Sequence, residues 1–156
     1  MQNKRILAVD PGYERLGIAV LENDKLLFSE CFKTKKEDLH HERIKQVGER
    51  IQEVIDKYNP EIFAIEELFW GTNQKTALLV AETRGVLLFV ASRNKLTVRE
   101  FKPVEVKIAI TGYGRSTKNQ IMSMVPKIIK IEKDIKSDDE FDAIAVGITC
   151  FQTRIS

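Results

Sequence analysis

The chain begins with a stretch, ILAVDPGYERLGIAVLEND at residues 6–24, from which most of the fold can be inferred. Its apolar run from Lys4 to Asp10 is typical of a central strand, and Gly17 to Leu21 predicts a second strand after the turn at Pro11-Gly12. The first strand ends on a carboxylate. Because a buried charge is costly unless another group compensates for it, Asp10 requires a partner.

The rest of the chain alternates strand and helix patterns, without repeats or linkers, and predicts one domain over residues 1–156. Three strands, a helix, a strand, a helix, a strand and further helices predict an α/β fold, with a mixed sheet and helices on its faces. A hairpin turn at Asn23-Asp24 leads into a third strand at Lys25–Lys33, and two further strands are predicted at Glu61–Glu67 and Leu96–Phe101. The predicted helices are Ile44–Tyr58, Thr76–Ser92, Val104–Ile110, Lys118–Ile129 (kinked or shortened by Pro126) and Asp138–Phe151.

Composition favours a cytoplasmic globular protein with no membrane segment, because its longest apolar run, Gly85 to Ala91, is far too short to cross a bilayer. The overall charge of +2 is unevenly distributed. Nine basic and two acidic residues lie between Arg93 and Lys130, so the remainder is net acidic. A basic half beside an acidic half is compatible with a polyanionic partner. Cys31 and Cys150 lie in apolar stretches that predict packing rather than a disulfide.

Acidic residues recur at the ends of buried elements. Asp10 follows ILAV and Glu66 follows IFAI, while Ser137 and Glu140 predict a capping box that begins the last helix. Asp142 lies further into that helix, past its first turn, and helical spacing pairs it with either Asp139 or Asp138. Two like charges on one face become favourable with a bound cation, and Mg²⁺ prefers such oxygen ligands. This spacing suggests a metal cluster, although isolated acids at strand ends are also common.

Other chemistries have weaker support in the sequence. His40-His41 lies at a helix start without an obvious partner, and we expect it to be solvated. The segment TGYGRSTK, residues 111–118, contains Gly and Lys but lacks the Gly-Lys-Ser/Thr order of a phosphate-binding P-loop, so nucleotide binding is not expected there.

Four blocks in order resemble the RuvC family of bacterial Holliday junction resolvases: AVDPG…LGIAV, FAIEELFWGTN…TALLVAETRGVLL, EVKIAITGYGRSTK and DDEFDAIAVGIT. The resemblance spans Ile6 to about Cys150. It implies a ribonuclease-H-like fold with a five-stranded mixed sheet. It also implies a homodimer that makes paired cuts in a four-way DNA junction during recombination and repair, with RuvA–RuvB as a possible partner complex.

The resemblance also implies the site residues. The four metal ligands carry over to Asp10, Glu66, Asp139 and Asp142, so that Glu66 rather than Glu67 and Asp139 rather than Asp138 are expected to bind metal. Two Mg²⁺ ions, with Mn²⁺ as a substitute, would flank the scissile phosphate, one activating water and the other stabilising the leaving oxygen. Lys107 and Lys118 match active-site lysines. The DNA-binding residues implied are Phe69, which would insert among junction bases, its neighbour Trp70, and the phosphate contacts Lys75 and Arg115.

Three other functions are compatible with parts of this pattern. A YqgF-type nuclease of the same superfamily shares a motif like ERLGIAV but lacks the EELFW and ETRGVLL blocks. An actin-like sugar kinase or ATPase begins with a similar aspartate–glycine loop but needs a second lobe to enclose ATP. A junction-binding module without catalysis would not need all four acids.

Overall fold

The computed structural model describes residues 4–67 and 73–155 and contains one five-stranded sheet in the order β3-β2-β1-β4-β5. β1 pairs antiparallel with β2 and parallel with β4, so the sheet is mixed, as predicted. The elements are β1 Arg5–Asp10, β2 Arg15–Glu22, β3 Lys25–Lys33, α1 His40–Tyr58, β4 Ile62–Glu66, α2 Gln74–Arg93, β5 Thr97–Phe101, α3 Pro103–Thr111, α4 Lys118–Ile128 and α5 Asp138–Ile155.

The turn predicted at Asn23-Asp24 joins β2 and β3, with Glu22 opposite Lys25 and Asn23 in a left-handed conformation at a φ of 54°. Pro126 lies two residues before the end of α4, so that helix is short rather than sharply kinked. None of the helices in the described residues is long and apolar enough to span a bilayer.

Alternation along the strands sends successive side chains to two different cores. In β1, Leu7 and Val9 pack with α1 and α2, whereas Ile6 and Ala8 pack with α3, α4 and α5. Asp10 continues the second series and therefore belongs to the face covered by α5. The same parity places Glu66 on that face, because Ile62 and Ala64 of β4 lie in the α5 core.

Small residues allow α5 to lie close against the sheet. Ala8 and Ala19 are fully buried beneath it. Gly147 lies against Ala8 and Leu21, and a Cβ there would come within 2.5 Å of Leu21 Cδ1 and 3.2 Å of Ala8 Cβ. Gly17 of β2 lies against the start of α5 and leaves no space for a side chain, since a Cβ added there would lie 2.0 Å from the carbonyl oxygen of Asp139. This close contact brings the beginning of α5 onto the ends of β1 and β2.

Candidate active site

Three aspartates from two distant parts of the chain meet where α5 begins. Carboxylate oxygens of Asp10, Asp139 and Asp142 all lie within 4.8 Å of one another, and the three residues are half-buried. Asp10 reaches this point from the end of β1, and the two others project from the first turns of α5. Three hard oxygen donors at this spacing fit a divalent cation such as Mg²⁺.

Glu66 borders this cluster from the end of the neighbouring parallel strand. Its charge acts on Asp10, and the charge of Asp142 acts on it, although its carboxylate is not among the three that meet within 4.8 Å. Glu67 is exposed, in keeping with the alternation of the strand. Asp138 is also exposed and lies outside the trio.

Burial and mutual repulsion make three carboxylates of the site, those of Asp10, Glu66 and Asp142, hard to ionise. Burial and the nearby charges of Asp142, Glu66 and Asp139 hold the pKa of Asp10 well above its usual range. The pKa of Glu66 is raised by burial and by Asp142, while Lys107 opposes the shift. Burial also raises the pKa of Asp142 despite the counteracting charge of Lys118. A site that makes its own acids costly to ionise has the electrostatics of one that receives a cation.

Lys118 lies directly beside the acids. Its Nζ is 3.4 Å from Asp142 Oδ2 and 3.5 Å from Asp138 Oδ2. Burial lowers the pKa of Lys118, but the charges and hydrogen bonds of those two aspartates outweigh it and raise the pKa overall. The ammonium group is therefore held in its charged form next to the cluster.

A groove of about 440 Å³ runs from the acids between α3, α4 and α5, and we call it the α3–α5 groove. Lys107 is half-buried in its wall, opposite Glu66, and the buried Ser116 has a hydroxyl without a hydrogen-bond partner among the described residues. Arg115 is exposed on the loop before α4. Lys75 is exposed in the first turn of α2. Phe69 and Trp70 lie outside the described residues.

The expectations for the start of α5 and for α1 were only partly correct. Ser137 Oγ accepts a hydrogen bond from the Asp139 amide at 3.2 Å, as an N-cap residue does. Glu140 does not reach back to cap Ser137; its carboxylate instead accepts hydrogen bonds from Ser29 Oγ at 2.7 Å and Lys133 Nζ at 3.2 Å. His40 is exposed but not without partners, since Nε2 contacts Glu82 and Nδ1 lies 3.0 Å from the Tyr13 hydroxyl. The contacts of Glu140 with Ser29 and of His40 with Glu82 and Tyr13 join segments far apart in sequence, which local patterns do not reveal.

Sequence patterns also missed three neighbours of Asp139. Its Oδ2 lies 3.7 Å from Cys31 Sγ, 3.8 Å from Arg15 and 3.4 Å from Ser137 Oγ. For Cys31, the pairing of β2 with β3 offers a signal. It places Cys31 opposite Gly17, and α5 covers Gly17. In the part of the chain that the structure describes, neither the half-buried Cys31 nor the buried Cys150 forms a disulfide.

Comparison with known proteins agrees with this geometry. The model of the family described as crossover junction endodeoxyribonuclease RuvC matches residues 6–150. The chain belongs to the RuvC family. RuvC from Fusobacterium nucleatum is 38% identical over 149 residues, covering 93% of this chain and 78% of that protein. RuvC from Rickettsia felis is 37% identical over 154 residues, covering 96% and 99%.

Solved structures extend the similarity to the RuvC fold. Thermus thermophilus RuvC in complex with a Holliday junction substrate superposes with a TM-score of 0.90 at 28% identity, covering 97% of this chain and 96% of that one. A yeast mitochondrial Holliday junction resolvase, 14% identical with a TM-score of 0.70, shares the fold. The predicted ribonuclease-H-like fold is thereby confirmed. As a RuvC-family crossover junction endodeoxyribonuclease, the chain resolves Holliday junctions.

Proposed function

We propose that this single-domain nuclease cleaves junction strands with two Mg²⁺ ions held by Asp10, Glu66, Asp139 and Asp142. The observation that carries the proposal is the meeting of three aspartates within 4.8 Å, with Glu66 beside them. Mn²⁺ is expected to substitute, because it accepts the same carboxylate ligands. The products are 5′-phosphate and 3′-hydroxyl ends.

Bound divalent ions would polarise the scissile phosphate and lower the pKa of a coordinated water. The chain's own contribution is to hold its carboxylates rigidly. Asp10 is fixed at the end of β1, where it pairs with Gly17 of β2, and Asp139 and Asp142 project from one helix. Asp10 is acted on by all three other acids, so we assign it the position shared between the two ions.

We assign Lys118 to the scissile phosphate. In the free protein its ammonium group neutralises part of the charge of Asp142. With cations held by the carboxylates, this pairing would weaken, and the ammonium group would then be available to bind a phosphate oxygen on which charge develops. Lys107, which lines the α3–α5 groove together with Glu66 and Asp142, would contact the same strand.

The remaining DNA contacts in the proposal come from four residues outside the acidic cluster. Arg115, on the loop before α4, and Lys75, in the first turn of α2, are exposed cations suited to backbone phosphates. Phe69 and Trp70 follow Glu66 closely in the chain, and the family resemblance assigns Phe69 to stacking among junction bases. Stacking of this kind contributes about 1–3 kcal/mol per base.

Paired cleavage of two strands requires two active sites, so we propose a homodimer. α2 presents a surface suited to a second copy, with Leu78 and Phe89 56% and 64% exposed on one helix face and Gly85 open between them. Exposed apolar stripes of this kind mark protein contacts. Action on chromosomal DNA in the cytoplasm and cooperation with RuvA–RuvB are part of the proposal through family membership.

A cleavage assay with matched substitutions tests the metal-ligand assignment. Four-way junction, linear duplex and structured RNA are compared in Mg²⁺, in Mn²⁺ and in EDTA. Glu66→Gln and Asp139→Asn are each expected to lower junction cleavage by at least about 100-fold, as expected for lost metal coordination. Their exposed neighbours provide the controls, Glu67→Gln and Asp138→Asn, which should retain most activity.

Equal losses from ligand and neighbour variants would contradict the assignment of the ligands. Preferential cleavage of RNA would instead favour a role in ribosomal RNA processing. Junction binding without cleavage by the unmodified protein in Mg²⁺ and in Mn²⁺ would support a purely structural module.

A further inference from the structure

Glu66 lies where the support of its strand is one-sided. The pairing of β4 with β1 ends at Val9 and Ile65, one residue before Glu66, whereas pairing with β5 continues to Glu66 opposite Phe101. The proposed ligand thus sits at the end of a strand that has lost one of its two neighbours. A ligand placed in this way needs another restraint if its carboxylate is to remain in position.

Arg84 of α2 supplies such a restraint. Its Nε donates a hydrogen bond to the backbone carbonyl oxygen of Glu66 at 3.2 Å, and its Nη2 donates to Glu100 Oε2 at 2.6 Å. Its side chain is 12% exposed. Glu100 lies on β5 beside Phe101, so one guanidinium connects α2, the end of β4 and the strand that pairs with it.

The chemistry of arginine suits this task. Its planar group presents donors in a fixed fork and stays charged at every accessible pH. The short bond to Glu100 aims the guanidinium, and the second donor then holds the Glu66 carbonyl. The carboxylate of Glu66 is left free on the other side of its residue, toward the α3–α5 groove. Arg84 itself does not line that groove.

We infer that Arg84 is a positioning residue for Glu66, which raises the affinity of the acidic cluster for divalent cations without contacting them. The inference rests on the proposed function, because it takes Glu66 as a ligand. Supporting residues behind metal ligands typically change metal affinity by about 10–100-fold, and we expect a change of that size when the Arg84 fork is lost.

The test compares Arg84→Gln with Arg50→Gln in the full chain. Arg50 is a matched control, because it also binds a glutamate through Nε and Nη2, at 2.9 and 2.6 Å from Glu30, but on α1. Mn²⁺ binding is measured by electron paramagnetic resonance without DNA. Arg84→Gln should raise the dissociation constant about 10–100-fold, and Arg50→Gln less than about twofold.

Two further measurements separate positioning from general loss of structure. Hydrogen exchange should accelerate at the end of β4, where the Glu67 amide donates to Phe101, but not at the centre of β1. Glu100→Gln, which keeps the arginine and its bond to the carbonyl, should weaken Mn²⁺ binding less than Arg84→Gln. If Arg84→Gln fails to fold, Arg84→Lys is used, and it should bind Mn²⁺ more weakly than the unmodified protein.

Failure of the inference differs from failure of the proposed function. Unmodified protein that binds no Mn²⁺ would remove the metal site, and the role of Arg84 with it. Unmodified protein that binds Mn²⁺ no better than folded Arg84→Gln or Arg84→Lys would overturn the inference alone. Equal weakening by Arg50→Gln would also overturn it.

Discussion

At the scale of single residues, Asp10 illustrates a conflict between stability and catalysis. Its carboxylate is held at the end of a central strand with three other acids nearby, and burial and repulsion raise its pKa. Protein folds often keep such unfavourable groups where function requires them. The cost is borne by the free protein and is removed when a cation binds.

We predict that Asp10→Asn abolishes junction cleavage while stabilising the metal-free protein by about 0.5–2 kcal/mol, as substitutions that relieve active-site repulsion do. Junction binding should remain close to that of the unmodified protein. Cleavage in Mg²⁺, binding by mobility shift and unfolding in EDTA are the measurements. Residual cleavage at the unmodified rate would remove Asp10 from the mechanism.

The same substitution should show a defined pH dependence. Because the folded-state pKa of Asp10 lies above its unfolded value, the folded protein retains this proton to higher pH than the unfolded chain does. The favourable contribution of protonated Asp10 to folding stability is complete below its unfolded-state pKa, near 3.9, and is lost as pH rises through its folded-state pKa. The stability advantage of Asp10→Asn in EDTA should therefore grow with pH, and Mg²⁺ should reduce it. An advantage that is constant with pH would contradict this explanation.

At the scale of elements, the contact between β2 and α5 places two of the acids. Gly17 touches the backbone of Asp139 so closely that a methyl group would overlap its carbonyl oxygen. The backbone cannot yield as a flexible side chain would, so the start of α5 must move if a side chain is added. Asp139 and Asp142 would move with it.

We predict that Gly17→Ala costs about 1–3 kcal/mol of stability, as overpacking typically does, and lowers Mg²⁺-dependent cleavage by at least about tenfold. Gly85→Ala is the control for folding stability alone, because a Cβ there has open space in the single chain and Gly85 lies on the proposed dimer surface. It should be neutral or stabilising, since alanine is the better helix former. Unfolding by denaturant and cleavage across a Mg²⁺ titration measure both effects. Full activity of Gly17→Ala at low Mg²⁺ would show that α5 accommodates the methyl group.

At the scale of the whole molecule, α2 connects the proposed dimer surface with the site. One face carries Leu78 and Phe89, and Arg84 on the same helix holds the end of β4. We predict that Phe89→Glu shifts the protein from dimer to monomer at micromolar concentration and converts paired cuts into single nicks. Ile108→Glu, at a similarly exposed apolar residue on α3, should leave the dimer intact. Sedimentation velocity and a supercoiled cruciform substrate distinguish these outcomes, and a dimeric Phe89→Glu protein would exclude this surface.

Basic residues predominate from Arg93 to Lys130, and if they contact DNA phosphates, binding should depend on salt. Each phosphate contact releases counterions. A plot of log affinity against log salt concentration therefore falls with a slope of about 0.9 per contact. We predict that Arg115→Ala lowers this slope by about 1. Lys45→Ala, on the opposite side of the sheet in α1 and paired with Glu49, should not change it. Unchanged slopes in both variants would remove Arg115 from the phosphate contacts.

Much of the fold of this protein can be predicted from local patterns in its sequence. Apolar runs determine where the strands lie, because strands buried on both faces leave few polar positions. The parity of β1 and β4 predicts that Asp10 and Glu66 share a face. The spacing in SDDEF alone left Asp138 and Asp139 equivalent, and only the family motif distinguished them before the structure was known.

Other features depend on contacts between distant segments. The Glu140 carboxylate pairs with Ser29 and Lys133, and Arg84 reaches the Glu66 carbonyl, across separations that no local propensity encodes. The sequence by itself therefore indicated the strands and helices and, through the family motif, the four acids proposed as metal ligands. Only the tertiary structure decided how closely the acids meet and what holds them there, because the distance between their oxygens depends on how α5 packs on Gly17.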